Sequence, residues 1–167
     1  RVAAGDKVVG LRLSCDELAP WAGITPEQSP ELAASIVADA SARVDMLTVV
    51  RGSIYSVAAT RPDGHTPPGF NLELCASVRA AVTEASGGRV QVVAQGSIVD
   101  VGQAEWALDD GVADGVEMTR AQISDAELVV RVAAGTPDRV RPCTLSNQRS
   151  QVRDNRNPIV SSLGDPS

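Results

Sequence analysis

The chain has 167 residues, 43% hydrophobic and 22% charged, with a net charge of -6, a composition that fits a globular α/β protein and speaks against nonspecific nucleic-acid binding. No apolar run reaches the roughly 20 residues of a membrane helix and no basic segment precedes an apolar one, so the expectation is a cytoplasmic protein without membrane contact. Three cysteines, odd in number and widely spaced, do not form a disulfide framework and suit a reducing compartment.

In chain order, Arg1 to Gly5 reads as the last turn of a helix stopped by glycine, and the start at Arg1 rather than Met predicts a break within a longer protein. Lys7 to Leu13 is the first predicted strand, with Cys15 a small loop thiol after it. A polar loop containing Trp21 leads to a helix that Ser29 caps and Pro30 opens, with Leu32, Ala33, Ile36, Val37 and Ala40 on one face. Val44 to Val50 is the second strand. The loop from Arg51 to Phe70 is long and rich in Gly and Pro, which in compact domains marks functional or mobile segments. Asn71 caps the next helix, whose inward face is Leu74, Cys75, Val78 and Val82 and whose stop is Gly87-Gly88. Arg89 to Ala94 is the third strand, Val101 to Asp110 its helix, Gly115 to Met118 the fourth strand, and Asp125 to Ala134 a final helix. Ala42-Arg43-Val44-Asp45-Met46 and Gly111-Val112-Ala113-Asp114-Gly115 each lead from a helix end into a strand, a faint repeat of the βα unit.

Short apolar runs alternating with amphipathic helices argue for parallel strands joined by crossover helices. At about 30 residues per βαβ unit, against roughly 250 for a closed eight-stranded barrel, the chain before its tail holds about four βα units. The expected fold class is α/β, a partial TIM (β/α)8 barrel. Half a barrel leaves strand edges and apolar surface uncovered, which predicts a homo-oligomer or pairing with a missing half.

Loops that follow the C-termini of such strands collect functional residues and helix N-terminal amides. Gln95-Gly96-Ser97 follows the third strand and Thr119-Arg120 the fourth. Together they offer backbone N–H groups, a hydroxyl and a guanidinium to one anion, with Gly96 allowing close approach to the backbone. An ordinary glycine turn and a surface arginine fit the same residues. Arg12, set among Val9, Gly10, Leu11 and Leu13, needs a partner if buried, either a ligand or a carboxylate such as Asp16. Arg51-Gly52-Ser53 follows the second strand and is a weaker candidate for the same mouth. His65, the one histidine, has no evident partner in its Pro-rich loop and reads as a surface residue. Tyr55 is the one candidate phenolic proton donor, and Asp16-Glu17 reads as a solvated pair rather than an acid/base dyad. No catalytic residue is assigned.

The tail carries Cys143, Ser146, Ser150 and Ser162. With Cys in place of each Ser it becomes Cys-x2-Cys-x3-Cys-x11-Cys, the spacing of a [4Fe-4S] site with three clustered ligands and a distant fourth. Serine is a hard, high-pKa oxygen that rarely replaces a thiolate on iron, so no intact cluster is expected, and Cys143 alone does not make a metal site. Arg131, Arg139, Arg141, Arg149, Arg153 and Arg156 read as a solvated, partly ion-paired surface.

Arg141-Pro142-Cys143, with Asn147-Gln148 and the arginine-rich stretch beyond, resembles the cluster loop of FMN-dependent 2,4-dienoyl-CoA reductases and their old yellow enzyme relatives, most of all the mycofactocin-associated branch. Val9-Gly10-Leu11-Arg12-Leu13-Ser14, Thr66-Pro67-Pro68-Gly69-Phe70-Asn71, Gln95-Gly96-Ser97 and Glu117-Met118-Thr119-Arg120-Ala121 fall in that family's order, from about Val8 to Ser162. The resemblance implies that residues 1–140 are the C-terminal half of an FMN-binding barrel and that 141–167 are an irregular tail like an iron-sulfur loop. It implies hydride transfer from NAD(P)H to FMN and on to the β-carbon of an activated alkene of enoate or dienoyl type. The FMN phosphate would rest on Gln95, Gly96, Ser97, Thr119 and Arg120, and the pyrimidine edge of the flavin on Arg12. In that family the proton donor and the substrate-anchoring histidines come from earlier strands, so neither role passes to Tyr55 or His65. The competing expectation is a noncatalytic remnant or engineered half-barrel with a structural or interaction role and no bound cofactor.

Overall fold

The computed structural model describes residues 7–39, 41 and 43–147. The expectations placed on Arg1 to Gly5, Ala40, Ala42, Gln148, Arg149, Ser150, Arg153, Arg156 and Ser162 lie outside those residues. Four strands, β1 (Gly10–Asp16), β2 (Met46–Arg51), β3 (Gln91–Ala94) and β4 (Gly115–Val116), form one sheet in the order β1-β2-β3-β4, every neighbouring pair parallel. Helices α1 (Ser29–Ala38), α2 (Leu72–Ser86) and α3 (Val101–Asp109) connect them, and α4 (Thr119–Ser124) and α5 (Leu128–Ala133) follow β4. This is the α/β alternation of a partial (β/α)8 barrel. Among the described residues no helix is long and apolar enough to cross a membrane.

The two faces of the sheet differ. Leu47, Val49, Val92 and Ala94 are buried beneath Ala33 and Val37 of α1, Cys75, Val78 and Val82 of α2, and Ala104 and Ala107 of α3. Each of the larger aliphatic side chains there contributes about 1.5–3 kcal/mol of burial. The other face carries Arg12, Thr48, Val93 and Gly115 in one register row and opens on a depression of about 640 Å³ rimmed by Gln122, Leu128 and Val129. Across it Arg12 Nη1 meets Glu117 Oε2 at 2.5 Å. Four strands spaced about 4.8 Å apart would hold those positions some 14 Å apart in a flat sheet. A long arginine and a glutamate reaching toward each other span that width, across the face that the depression makes concave.

The faint repeat has a physical basis. Asp45, just before β2, accepts a hydrogen bond from Val9 N at the entry to β1 (2.8 Å). Asp114, just before β4, accepts from Val92 N of β3 (2.8 Å). In both units the carboxylate satisfies a backbone donor of the preceding strand and sets the register of the next. Asp114 is gripped in turn by Arg79 of α2 through Nε and Nη2, at 2.9 and 2.8 Å, while Arg79 Nη1 donates to Gly111 O.

Several boundaries differ from those expected. β1 starts later than Lys7 and runs on to Asp16, with an irregularity between Ser14 and Asp16 where the partners are Val50 and Arg51. Cys15 is consequently a fully buried core residue rather than a loop thiol. Ser29 does not cap α1; its hydroxyl donates to Pro26 O at 3.2 Å. The expected helix from Asp125 to Ala134 starts later, as α5, and α4 is an additional short helix before it. Asp125 separates the two, its side chain accepting from Glu127 N (2.9 Å) and Arg141 N (2.9 Å), a local alternative to helical bonding. A 3-10 turn, Val57–Thr60, lies in the long loop, and β4 is only two residues long.

Candidate functional site

The C-terminal ends of β3 and β4 bring Gln95, Ser97, Thr119 and Arg120 around one niche of about 20 Å³, room for about one water, which Glu117 also lines. Ser97 holds a left-handed backbone (φ 56°) that costs a non-glycine residue about 1–2 kcal/mol. Its hydroxyl accepts from Arg120 Nη2 at 2.5 Å. Two loops that the sequence pairs are thus joined by a direct bond. Arg120 Nη1 donates to Pro62 O (2.5 Å) and to Asn147 Oδ1 (2.9 Å). All three acceptors are neutral, and among the described residues Arg120 makes no ion pair. Burial pulls the guanidinium's pKa down, with the nearby Cys143 acting the other way. Its charge is thus matched by hydrogen bonds to neutral oxygens and by no direct carboxylate contact among the described residues.

At Gly96 a Cβ would lie 2.7 Å from the Cβ of Asn71, so packing against Asn71 already requires glycine there. Asn71 does not cap α2 with its side chain. It is buried, and its Nδ2 donates to Val49 O (3.2 Å) and Gln95 O (3.0 Å), tying the ends of β2 and β3 at the mouth. The backbone of Gly69 donates to Gly96 O (2.9 Å), so the Thr66-to-Asn71 motif braces the third loop from below. Sequence reasoning treats Asn71 as a cap; its place at the end of that motif is the one signal of a larger role.

Arg12 projects from the concave face with its side chain 56% exposed and paired to Glu117, not to Asp16. Asp16 instead pairs with Arg51 (3.0 Å), whose guanidinium also stands 5.7 Å from the Phe70 ring centroid. Glu117 accepts from the Thr119 hydroxyl through its other oxygen (3.0 Å), so Arg12, Glu117 and Thr119 form a chain leading to the niche. Ser14, Gly52, Ser53 and Ser56 are occupied in knitting the first two loops together, two of the hydroxyls donating to Glu17 O. His65 is exposed and meets Asp63 (3.0 Å), and Tyr55 is exposed with an edge contact to Trp21.

The start of the tail is held by residues the sequence left unassigned. Leu145 and Asn147 both take left-handed backbone conformations and are buried, while Ser146 between them is exposed. Asn147 Nδ2 donates to Arg61 O at 3.0 Å. The Cys143 sulfur accepts from Leu145 N at 3.5 Å. Among the described residues no three His, Cys, Asp or Glu side chains form a group able to hold a metal. The buried Cys15 and Cys75 have thiols pushed up by desolvation to about 11 and about 12, which keeps them protonated and unreactive. Arg131 pairs with Asp125 (3.1 Å) and Glu127 (2.7 Å).

The chain carrying this arrangement is similar to N,N-dimethylglycine/sarcosine dehydrogenase of Chromohalobacter salexigens, 34% identical over 151 residues that make up 88% of this chain and 20% of that protein. The multifunctional alkene reductase/demethylase OYE of Caballeronia cordobensis is 29% identical over 83% of this chain and 19% of its own length. These relatives are oxidoreductases. The fold is also that of a segment of 2-naphthoyl-CoA reductase, with a TM-score of 0.69 and 28% identity over 83% of this chain and 20% of that one. The chain therefore spans about a fifth of the proteins it matches. No family model matches it.

Proposed function

We propose that this segment is the phosphate-holding part of an FMN-dependent oxidoreductase that takes hydride from NAD(P)H and reduces activated alkenes of enoate or dienoyl type. The observation that carries the reading is Arg120, a partly buried guanidinium with only neutral acceptors, bonded to Ser97 in the niche between the third and fourth strand ends. Its residues fit a phosphate: Arg120 supplies charge and a planar fork, and Ser97 and Thr119 supply hydroxyls. The Arg120–Ser97 bond must open for a phosphate to enter a niche this small. When bound, FMN would supply the hydride-accepting ring, which polar groups around its pyrimidine edge tune. Arg12 faces the concave side, where its positive charge would favour electron-rich flavin once it turns from Glu117 toward the ring. Gln95 and Gly96 shape the third loop, and Asn71 fixes it. Small-molecule substrates, a reducing cytoplasmic compartment and membership of the mycofactocin-associated branch belong to the same reading. So does completion of the barrel by a preceding half or a second copy, which would pair the open edges of β1 and β4. No [4Fe-4S] cluster enters this reading, since Cys143 has serine at Ser146, Ser150 and Ser162 where the motif needs sulfur.

Equilibration of the full chain with FMN followed by desalting tests the proposal. Retained flavin, displaced competitively by inorganic phosphate, supports it. A folded protein that retains none supports the structural half-barrel instead.

A further inference from the structure

The tail segment from Cys143 to Asn147 keeps the wording of a cluster loop with Cys143 as its one thiol, and its backbone is committed to one arrangement. Leu145 and Asn147 adopt φ of 55° and 57°, conformations unfavourable for non-glycine residues and worst for a leucine. Both side chains are buried despite that cost, so the surrounding contacts determine the conformation. Asn147 engages both ends of its amide. Oδ1 accepts from Arg120 Nη1 and Nδ2 donates to Arg61 O, while Arg120 Nη1 also reaches Pro62 O. The long second loop, the tail and the fourth-strand loop thus meet at one guanidinium.

We infer that Asn147 is a positioning residue for Arg120, holding its fork toward Ser97 so that the niche presents a fixed cationic donor to an anion. The inference rests on the anion-site reading above. A neutral amide suits this role, because it accepts a guanidinium hydrogen without neutralising its charge and its own N–H₂ is anchored to a carbonyl. A carboxylate in its place would still hold Arg120 but would occupy it as an ion pair, and it would lose the donor to Arg61 O. The segment that has lost cluster ligands would then serve the cofactor's phosphate in another way.

Substitutions at Asn147 therefore separate positioning from scaffolding. Wild-type chain, Asn147→Ala and Asn147→Asp are titrated with FMN and with inorganic phosphate, with thermal melts of each. Wild-type binding is expected to weaken about five- to tenfold in Asn147→Ala, and more in Asn147→Asp. Asn147→Ser, which retains a small acceptor, should recover part of the loss. If wild type binds and the folded variants bind equally well, Asn147 only fastens the tail and the inference is overturned. If folded wild type binds neither probe, the anion-site reading fails and the inference with it.

Discussion

Arg79 and Arg120 are both partly buried arginines reaching from one βα unit to the next, at opposite ends of the same sheet. At the N-terminal end Arg79 is matched to Asp114, two donors to one carboxylate oxygen, and that carboxylate also serves a strand N–H. At the C-terminal end Arg120 is matched to a hydroxyl, a carbonyl and an amide. The one charge is neutralised within the fold; the other is left with neutral partners, and on the reading proposed above it would receive a ligand. The same residue type is thus held in two ways, and the difference is one carboxylate.

The largest expected effect is on the Arg79–Asp114 pair. Asp114→Ala leaves Arg79 without its ion pair and Val92 N without an acceptor, and should destabilise the fold by about 3 kcal/mol in urea unfolding while leaving anion affinity of the folded protein unchanged. Loss of anion affinity together with stability would show that the two ends are not separable. Arg120→Ala should do the reverse, reducing affinity for FMN by about 10- to 100-fold, the worth of roughly 1.5–3 kcal/mol of charged hydrogen bonds, with a smaller change in unfolding. Arg120→Lys should recover only part of it, because an ammonium lacks the planar fork.

A smaller change is expected at Asp100, whose side chain accepts from Gln103 N at 2.8 Å and caps α3 near the mouth. Asp100→Ala should cost about 1 kcal/mol of stability, read in thermal melts, and leave the niche intact. The smallest effect tests the electrostatics. Glu117 lines the niche while paired to Arg12, so Glu117→Gln should tighten inorganic phosphate binding about two- to fivefold, on the scale of an exposed charge pair. Weaker binding in that variant would assign the carboxylate a supporting role.

The strand and helix order was legible in the sequence because apolar periodicity reports it directly. The pairing of Ser97 with Arg120 was legible for a different reason, since consecutive parallel strands place consecutive loops side by side. What escaped depends on side chains choosing distant backbone partners. Asn71 looks like a cap and its side chain is instead a tie between two strands, and the close packing of Gly96 on Asn71 has no signal in the sequence. Asp125, expected to open the last helix, instead precedes it, its side chain accepting from Glu127 N. Arg12 finds its carboxylate 105 residues away, a pairing created by strands brought side by side in the sheet. The tail was read as a cluster spacing without a cluster, and no role was given to Asn147, whose Oδ1 accepts from Arg120.

The measurement that bears most directly on the central claim is the visible absorption spectrum of the full chain after FMN addition and desalting, run beside Arg120→Ala. Flavin bands retained by the wild type and lost in the variant are the predicted result. A folded wild-type protein that emerges colourless, or a variant that keeps its flavin, would contradict it.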